Sequence, residues 1–323
     1  MKLREIFRKI VDCTLNIINA PIKHSKWFNS LFVAEDGELY PNNRWYREHY
    51  ERNFDIVVLG SSSAKWGFDF TSFDIKGMNW AQAPQTLVED YNILRNFHSI
   101  LRKDGYVVIT IMPFTSLNKE TNIYDALKYL KISTHKPIES HMLNKAYRYF
   151  KYPIFMGKPA IKAGIRHILR KEPSTNTQWQ TITTNPMSPQ QLEHNAQNYI
   201  NGWKKQFEIT DFEAPLSIKN KEGRAFRTKI MQEIIDFCLE REYKPILVIP
   251  PTTSYLSNFF TKEFEELYIY SFIKEIGRDI PLLDYSKKED LKDEQLYLNA
   301  LILNQSGRVL LTNNLLKDLH LIK

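Results

Sequence analysis

The apolar positions of this chain alternate between short unbroken runs and helically spaced stripes. Asp55-Ile-Val-Val-Leu59 is a compact β-branched run that ends at Gly60, the pattern of a strand buried on both faces. Gly77-Met-Asn-Trp-Ala81 reads as a second short strand and its exit, and Gln82-Ala-Pro-Gln85 as a loop. Leu87, Val88, Tyr91, Ile93, Leu94, Phe97 and Ile100 recur at helical spacing. Asp104-Gly105 then predicts a turn into a strand at 106–112, closed by Pro113.

The same alternation returns later. Phe226, Ile230, Met231, Ile234, Ile235, Phe237 and Cys238 mark a helix over 225–241. Lys244-Pro-Ile-Leu-Val-Ile249 is a strand ended by two prolines, 259–276 is helical, and 280–284 is a last strand. The tail predicts a loop, a turn at Gly307 and a closing helix from about Thr312. Strands alternating with helices imply an α/β fold, a three-layer parallel sheet with helices on both faces.

Two stretches stand outside that pattern. Leu3, Ile6, Phe7, Ile10, Val11, Leu15 and Ile18 form the apolar face of an amphipathic helix expected to stop before Pro21. Residues 22–53 read as an aromatic-rich lead-in, so 1–53 precede an α/β domain at 54–323. From 114 to 225 the periodicity loosens among several prolines and polar runs, as in an insertion or cap. Within it Lys158, Lys162, Arg166 and Arg170 make a basic helical face, read as solvated or as attracting an acidic substrate.

Composition narrows the function classes. The 323 residues are 43% hydrophobic and 13% aromatic, too apolar for a disordered chain. Lys and Arg number 44 and Asp and Glu 37, a formal net charge of +7 with no long basic block in sequence. Nucleic-acid binding is therefore not indicated. Cys13 and Cys238 match no disulfide framework or metal-ligand spacing, and the eight histidines are dispersed, so neither metal nor cofactor is expected. No apolar run reaches the ~18 residues of a membrane span, and charges interrupt the first 20 residues too often for a signal peptide. The expectation is a cytoplasmic protein, with peripheral membrane contact open to residues 1–20 through their basic face.

Candidate chemistry centres on Gly60-Ser61-Ser62-Ser63. Small hydroxyl side chains at the carboxyl edge of a parallel sheet lie where such sheets bind ligands. A serine there attacks a carbonyl when a base takes its proton and N–H donors hold the oxyanion. The competing reading makes them turn and N-cap residues. A Rossmann G-x-G-x-x-G, a P-loop and H-E-x-x-H are all missing, and Ser62 with Lys65 matches S-x-x-K only by chance.

Gly60-Ser61-Ser62-Ser63, the Asn79–Gln85 block, a proline-ended third strand and Leu303-Asn304-x-x-Gly307 together resemble the SGNH/GDSL hydrolases, in particular bacterial variants associated with surface polysaccharides. The resemblance covers roughly 54–113 and 244–320. It implies a flavodoxin-like sheet and ester hydrolysis or O-acyl (acetyl) transfer on an acylated carbohydrate. It makes Ser62 the nucleophile and puts Ser61 at the aspartate position of the GDS pattern. Oxyanion donors would be the Ser62 N–H, a group near Ala81 or Ala83, and Thr115 or Ser116. Asn79, Asn304 and Gly307 would shape the pocket or brace loops.

The C-terminal block departs from the family's Asp-x-x-His-Leu-Asn-x-x-Gly. Here Asn299 stands for the aspartate and Ile302 for the histidine. Three explanations follow: a base from elsewhere (His135 or His141, oriented by Asp69, Asp74, Asp284 or Asp293), a pseudo-enzyme that binds a glycan or a protein partner, or a shifted register.

Overall fold

The structure, a computed structural model, describes residues 2–31, 53–117, 123–132, 141–172 and 187–323. In its first part the chain forms α1 (Lys2–His24), α2 (Lys26–Ser30), β1 (Phe54–Leu59), α3 (Ser62–Lys65), β2 (Gly77–Asn79), α4 (Leu87–Phe97) and β3 (Leu101–Thr110). Four helices without strands follow: α5 (Ile123–Ile132), α6 (His141–Lys151), α7 (Lys158–Ile168) and α8 (Pro189–Phe207). The last part is α9 (Ile218–Leu239), β4 (Lys244–Ile249), α10 (Ser254–Ser257), α11 (Lys262–Glu265), α12 (Ser271–Ile276), β5 (Leu282–Asp284) and α13 (Gln305–Asp318).

These elements belong to two compact units. One comprises Met1–Glu48 and Glu120–Thr181, the other His49–Lys119 and Ile182–Lys323. The stretch expected as one insertion at 114–225 is thus divided, and α8 and the start of α9 fall in the sheet-bearing unit.

In the sheet-bearing unit five strands pair in parallel in the order β2-β1-β3-β4-β5. Val57, Val58, Leu59, Val107, Val108 and Ile109 are wholly buried, as unbroken apolar strands require. Alternate side chains serve opposite faces. Ile56, Val58, Val108, Ile246 and Val248 pack with Leu311 and Leu315 of α13. On the other face α9 lies against β4, with α4 and α12 beside it.

The other unit is helical. Here α1 packs along α7, and α5 against α6. Tyr152 donates to Asp12 at 2.6 Å, the Ile154 N–H donates to Asn19 at 2.7 Å, and Ile22 is buried against Gly164. Among the described residues no helix is long and apolar enough to cross a membrane.

Element ends differ from the sequence reading in places, each with a local cause. Helix α1 runs through Pro21 to His24, because the proline falls in the last turns, where packing of Asn19 and Ile22 outweighs one lost backbone bond. The lead-in contains α2, capped by Ser25. Asp104-Gly105 sits inside β3: the strand starts at Leu101 and its register with β1 shifts between Phe54 and Ile56, accommodating Asp104 at φ 60°. The helix expected at 259–276 is broken by a π turn at Glu266–Tyr270. Finally, α13 starts at Gln305 rather than Thr312, so Gly307 lies in its first turn and is not a loop turn.

Candidate functional site

The carboxyl end of β1 opens into a cleft of about 300 Å³ within the sheet-bearing unit. Gly60 turns the chain out of the strand at φ 142°. A Cβ there would lie 1.9 Å from Thr110 Oγ1, so glycine is the residue that lets β1 exit beside β3. Ser61 stands at the N-cap position of α3 without a side-chain cap bond, and its hydroxyl instead accepts the Gln85 N–H at 3.2 Å. Ser62 opens the helix, half-buried, on the cleft wall. Ser63 also lines the cleft; its Oγ is buried with no hydrogen-bond partner among the described residues.

The second block supports this bend, and only its end, Pro84 and Gln85, lines the cleft. The Asn79 side chain donates to the carbonyls of Ala64, Lys65 and Phe68 at 2.9, 3.3 and 3.1 Å, and accepts the Ala81 N–H at 3.0 Å. Ala81 is therefore a buried core residue whose N–H is already engaged, which removes it as an oxyanion donor. Ala83 is buried before a cis peptide bond to Pro84. Of the two third-block candidates, Thr115 lines the cleft and accepts the Met112 N–H at 2.9 Å. Ser116 is fully buried and is not part of the lining.

The tail block lies at the same end of the sheet. Leu301 lines the cleft with Gly60 to Ser63. Asn299 Oδ1 accepts the N–H groups of Leu301 and Ile302, each at 2.9 Å, closing a tight turn. Ile302 packs against an apolar cluster containing Ala196, Ile200 and Leu256. Asn304 caps α13 by accepting the Gly307 N–H at 3.1 Å and donates to the Gln295 carbonyl at 2.6 Å. A Cβ on Gly307 would meet the Leu296 carbonyl oxygen at 2.4 Å. Leu-Asn-x-x-Gly is thus a helix start pressed against a neighbouring loop.

None of the candidate substitute bases or their orienting aspartates is among the described residues that line this cleft. His135 lies outside the described residues, as does the side chain of His141. Asp69, Asp284 and Asp293 accept local N–H groups from Thr71, Ser286 and Gln295. Among the described lining residues there is no histidine.

Two buried ionisable side chains behind the serines, Asp90 and Arg227, escaped the sequence reading. Asp90 of α4 is buried, accepting from the Gly60 N–H and the Gln85 amide. Burial pushes its carboxyl up to about 7, against the pull of Gln85; Glu89 adds to the rise, and the Gly60 N–H and Arg227 oppose it. Arg227 of α9 donates to the Thr86 hydroxyl at 2.8 Å, and burial brings its guanidinium down to about 10. Both residues had a signal. Asp90 interrupts the stripe Leu87, Ile93, Leu94, and Arg227 stands three before Ile230 and four before Met231, so each charge rides an apolar helix face.

Helix α8 supplies the aromatic wall. Tyr199, Trp203 and Phe207 line the cleft, with Phe114 stacked on Phe207 at 5.1 Å and tilted on Trp203 at 5.4 Å. Its signal was the capping box Ser188-Pro-Gln-Gln191, with proline in the first turn. Among the described residues no cluster of His, Cys, Asp or Glu could hold a metal. What the cleft offers is hydroxyl and amide groups at one end, flat aromatic faces at the other, and a carboxyl near its neutral point behind the serines. Comparison with known proteins finds no family model that matches the chain and no matching curated protein.

Proposed function

We propose that the sheet-bearing unit is an SGNH-hydrolase-like domain, flavodoxin-like in strand order, that receives an acylated carbohydrate of a surface polysaccharide. The observation that carries this reading is the serine triplet at the carboxyl end of β1, lining a cleft walled by Tyr199 and Trp203. Strand order 2-1-3-4-5 and a ligand cleft at that edge fit the doubly wound pattern. Aromatic faces suit the apolar face of a sugar ring, and the hydroxyl and amide groups suit its hydroxyls. Cytoplasmic residence is part of the same proposal.

Ester chemistry here runs through Ser62. Its Oγ attacks the acyl carbonyl, the proton passes to a carboxylate, and the sugar oxygen leaves as the alcohol. Water, or a second sugar hydroxyl, then takes the acyl group. With Ile302 in the histidine position, Asp90 is the cleft group whose neutral-range titration suits the proton acceptor. The test is p-nitrophenyl acetate hydrolysis by wild type, Ser62→Ala and Asp90→Asn. Loss of at least ~10²-fold in both variants is expected. Equal background rates in all three proteins would end the ester proposal.

One observation favours a second reading, a pseudo-enzyme that binds without turnover. Asn299 and Ile302 are used in a turn and an apolar contact, so the dyad positions serve structure. Calorimetric binding of an O-acetylated oligosaccharide, equal in wild type and Ser62→Ala and with no acetate released by wild type, would select it.

A further inference from the structure

Charge and exposed apolar surface are unevenly shared between the two units. The helical unit contains 19 Lys and Arg against 10 Asp and Glu, and the sheet-bearing unit 25 against 27. The protein's whole positive excess therefore resides in the smaller unit, although no basic block is visible along the chain. Among the described residues, twelve of the fifteen exposed large apolar side chains also lie there. Patches of that kind mark interaction surfaces.

The two features coincide on two helices. On α1, Ile6, Phe7, Ile10 and Ile17 are more than half exposed, Phe7 at 70%. They occupy an arc apart from the seam formed by Asp12, Asn19 and Ile22. Arg4 borders that arc on one side and Lys9 on the other, at about 100° per residue. On α7, Ile165 and Ile168 are exposed, away from buried Ala160, Ala163 and Gly164, and Lys162 and Arg166 border them.

The helices run side by side in the same direction: Ile22 meets Gly164, His24 stacks on His167, and the Lys26 N–H reaches Glu172 at 3.0 Å. Measured from the Ile22–Gly164 contact, the two exposed arcs fall on opposite rotational sides of their helices, at about 100° per residue. For parallel neighbours that is one side of the pair.

We propose that this face of the helical unit docks on an anionic lipid bilayer surface, with the apolar arcs in the headgroup boundary and the basic borders on lipid phosphates. Interfacial helices have this composition, apolar on one face and Lys/Arg-rich beside it. Residues 2–31 and 141–172 together hold 14 Lys and Arg against three acidic residues. A second copy would set like charge against like in a self-complementary contact. Nucleic acid would leave Phe7 and Ile168 in water.

The test is co-sedimentation of the full chain with vesicles of phosphatidylcholine and phosphatidylglycerol, with phosphatidylcholine alone as control. Wild type is expected to sediment with the anionic vesicles, far less with the neutral ones, and to be released by salt. Phe7→Glu/Ile168→Glu, both sites well exposed, should weaken vesicle binding by roughly tenfold or more while leaving the urea midpoint unchanged. Lys162→Glu/Arg166→Glu offers a second variant and should abolish the preference for anionic vesicles. The proposal is overturned if wild type ignores both vesicles or if both double variants bind as wild type does. It is equally overturned if the face instead dimerises, shown by a wild-type dimer in light scattering that Phe7→Glu/Ile168→Glu dissolves.

Discussion

The Gly60 α-carbon faces the Thr110 hydroxyl so closely that a methyl group would sit 1.9 Å from Oγ1 and 2.8 Å from the Ala64 Cβ. Thr110 is held there because its hydroxyl donates to the Leu59 carbonyl at 3.2 Å across the β1–β3 pair. The bend that presents the serines therefore depends on a missing side chain, and Gly60 also needs φ 142°. Gly60→Ala should destabilise the protein by about 2–4 kcal/mol in urea unfolding, from overpacking plus backbone strain. A loss below ~0.5 kcal/mol would mean that the strand exit is not as tight as described.

How much of this was legible in the sequence follows from which residues act locally. Val57-Val-Leu59 and Val107-Val-Ile109 announce buried strands because burial on both faces demands unbroken apolar runs, and the structure has them in neighbouring parallel strands. Gly60 was legible for the same reason, as an abrupt end to such a run. Asp90 and Arg227 each showed as a charge on an apolar helix face, but their meeting did not, because they come from α4 and α9, 137 positions apart in numbering, and only the packing of those helices brings them to one cleft. Helix α8 was obscured by the polar, proline-containing stretch around it. The gathering of positive charge into one unit was equally hidden, since Met1–Glu48 and Glu120–Thr181 are separated by the first half of the sheet.

Asn304 joins the tail loop to α13 by two opposite bonds, accepting from Gly307 and donating to Gln295. Asn304→Ala should cost about 1 kcal/mol as a lost N-cap, with the Gln295 carbonyl losing a donor as well. Asn304→Asp keeps the acceptor for the Gly307 N–H, so its loss should be smaller. Urea midpoints for the three proteins check the order wild type, Asp, Ala; an Asp variant less stable than Ala would show that repulsion between its carboxylate and the Gln295 carbonyl outweighs the cap.

Trp203 touches Phe114, Tyr199 and Phe260 while lining the cleft. It is part of the wall, not of the sheet core, so Trp203→Ala should act mainly on ligand. If the cleft takes a sugar, affinity for an O-acetylated oligosaccharide should fall by about tenfold or more, the scale of one lost aromatic contact of about 1–2 kcal/mol. Unchanged affinity, measured by calorimetry, would place the ligand elsewhere.

Asp90 makes the cleft's stability depend on pH in an unusual direction. Its folded carboxyl titrates at about 7 against an ordinary 3.8, so the folded state holds a proton that the unfolded chain releases. Stability from this residue is therefore greatest below pH 4 and is lost as pH rises through the folded value near 7. At 1.36 kcal/mol per unit the whole swing is roughly 4 kcal/mol. Arg227, at about 10, stays charged across this window and so contributes no slope of its own. The Asp90→Asn variant would hold the neutral shape at every pH: its carboxamide oxygen can still accept the Gly60 N–H while Gln85 turns its own amide. The unfolding free energy of Asp90→Asn, minus that of wild type, should accordingly rise between pH 4 and pH 8 and level off above it. A difference that stays flat over this range would mean that Asp90 is already ionised in the folded protein, and would remove it as a proton acceptor tuned to neutral pH.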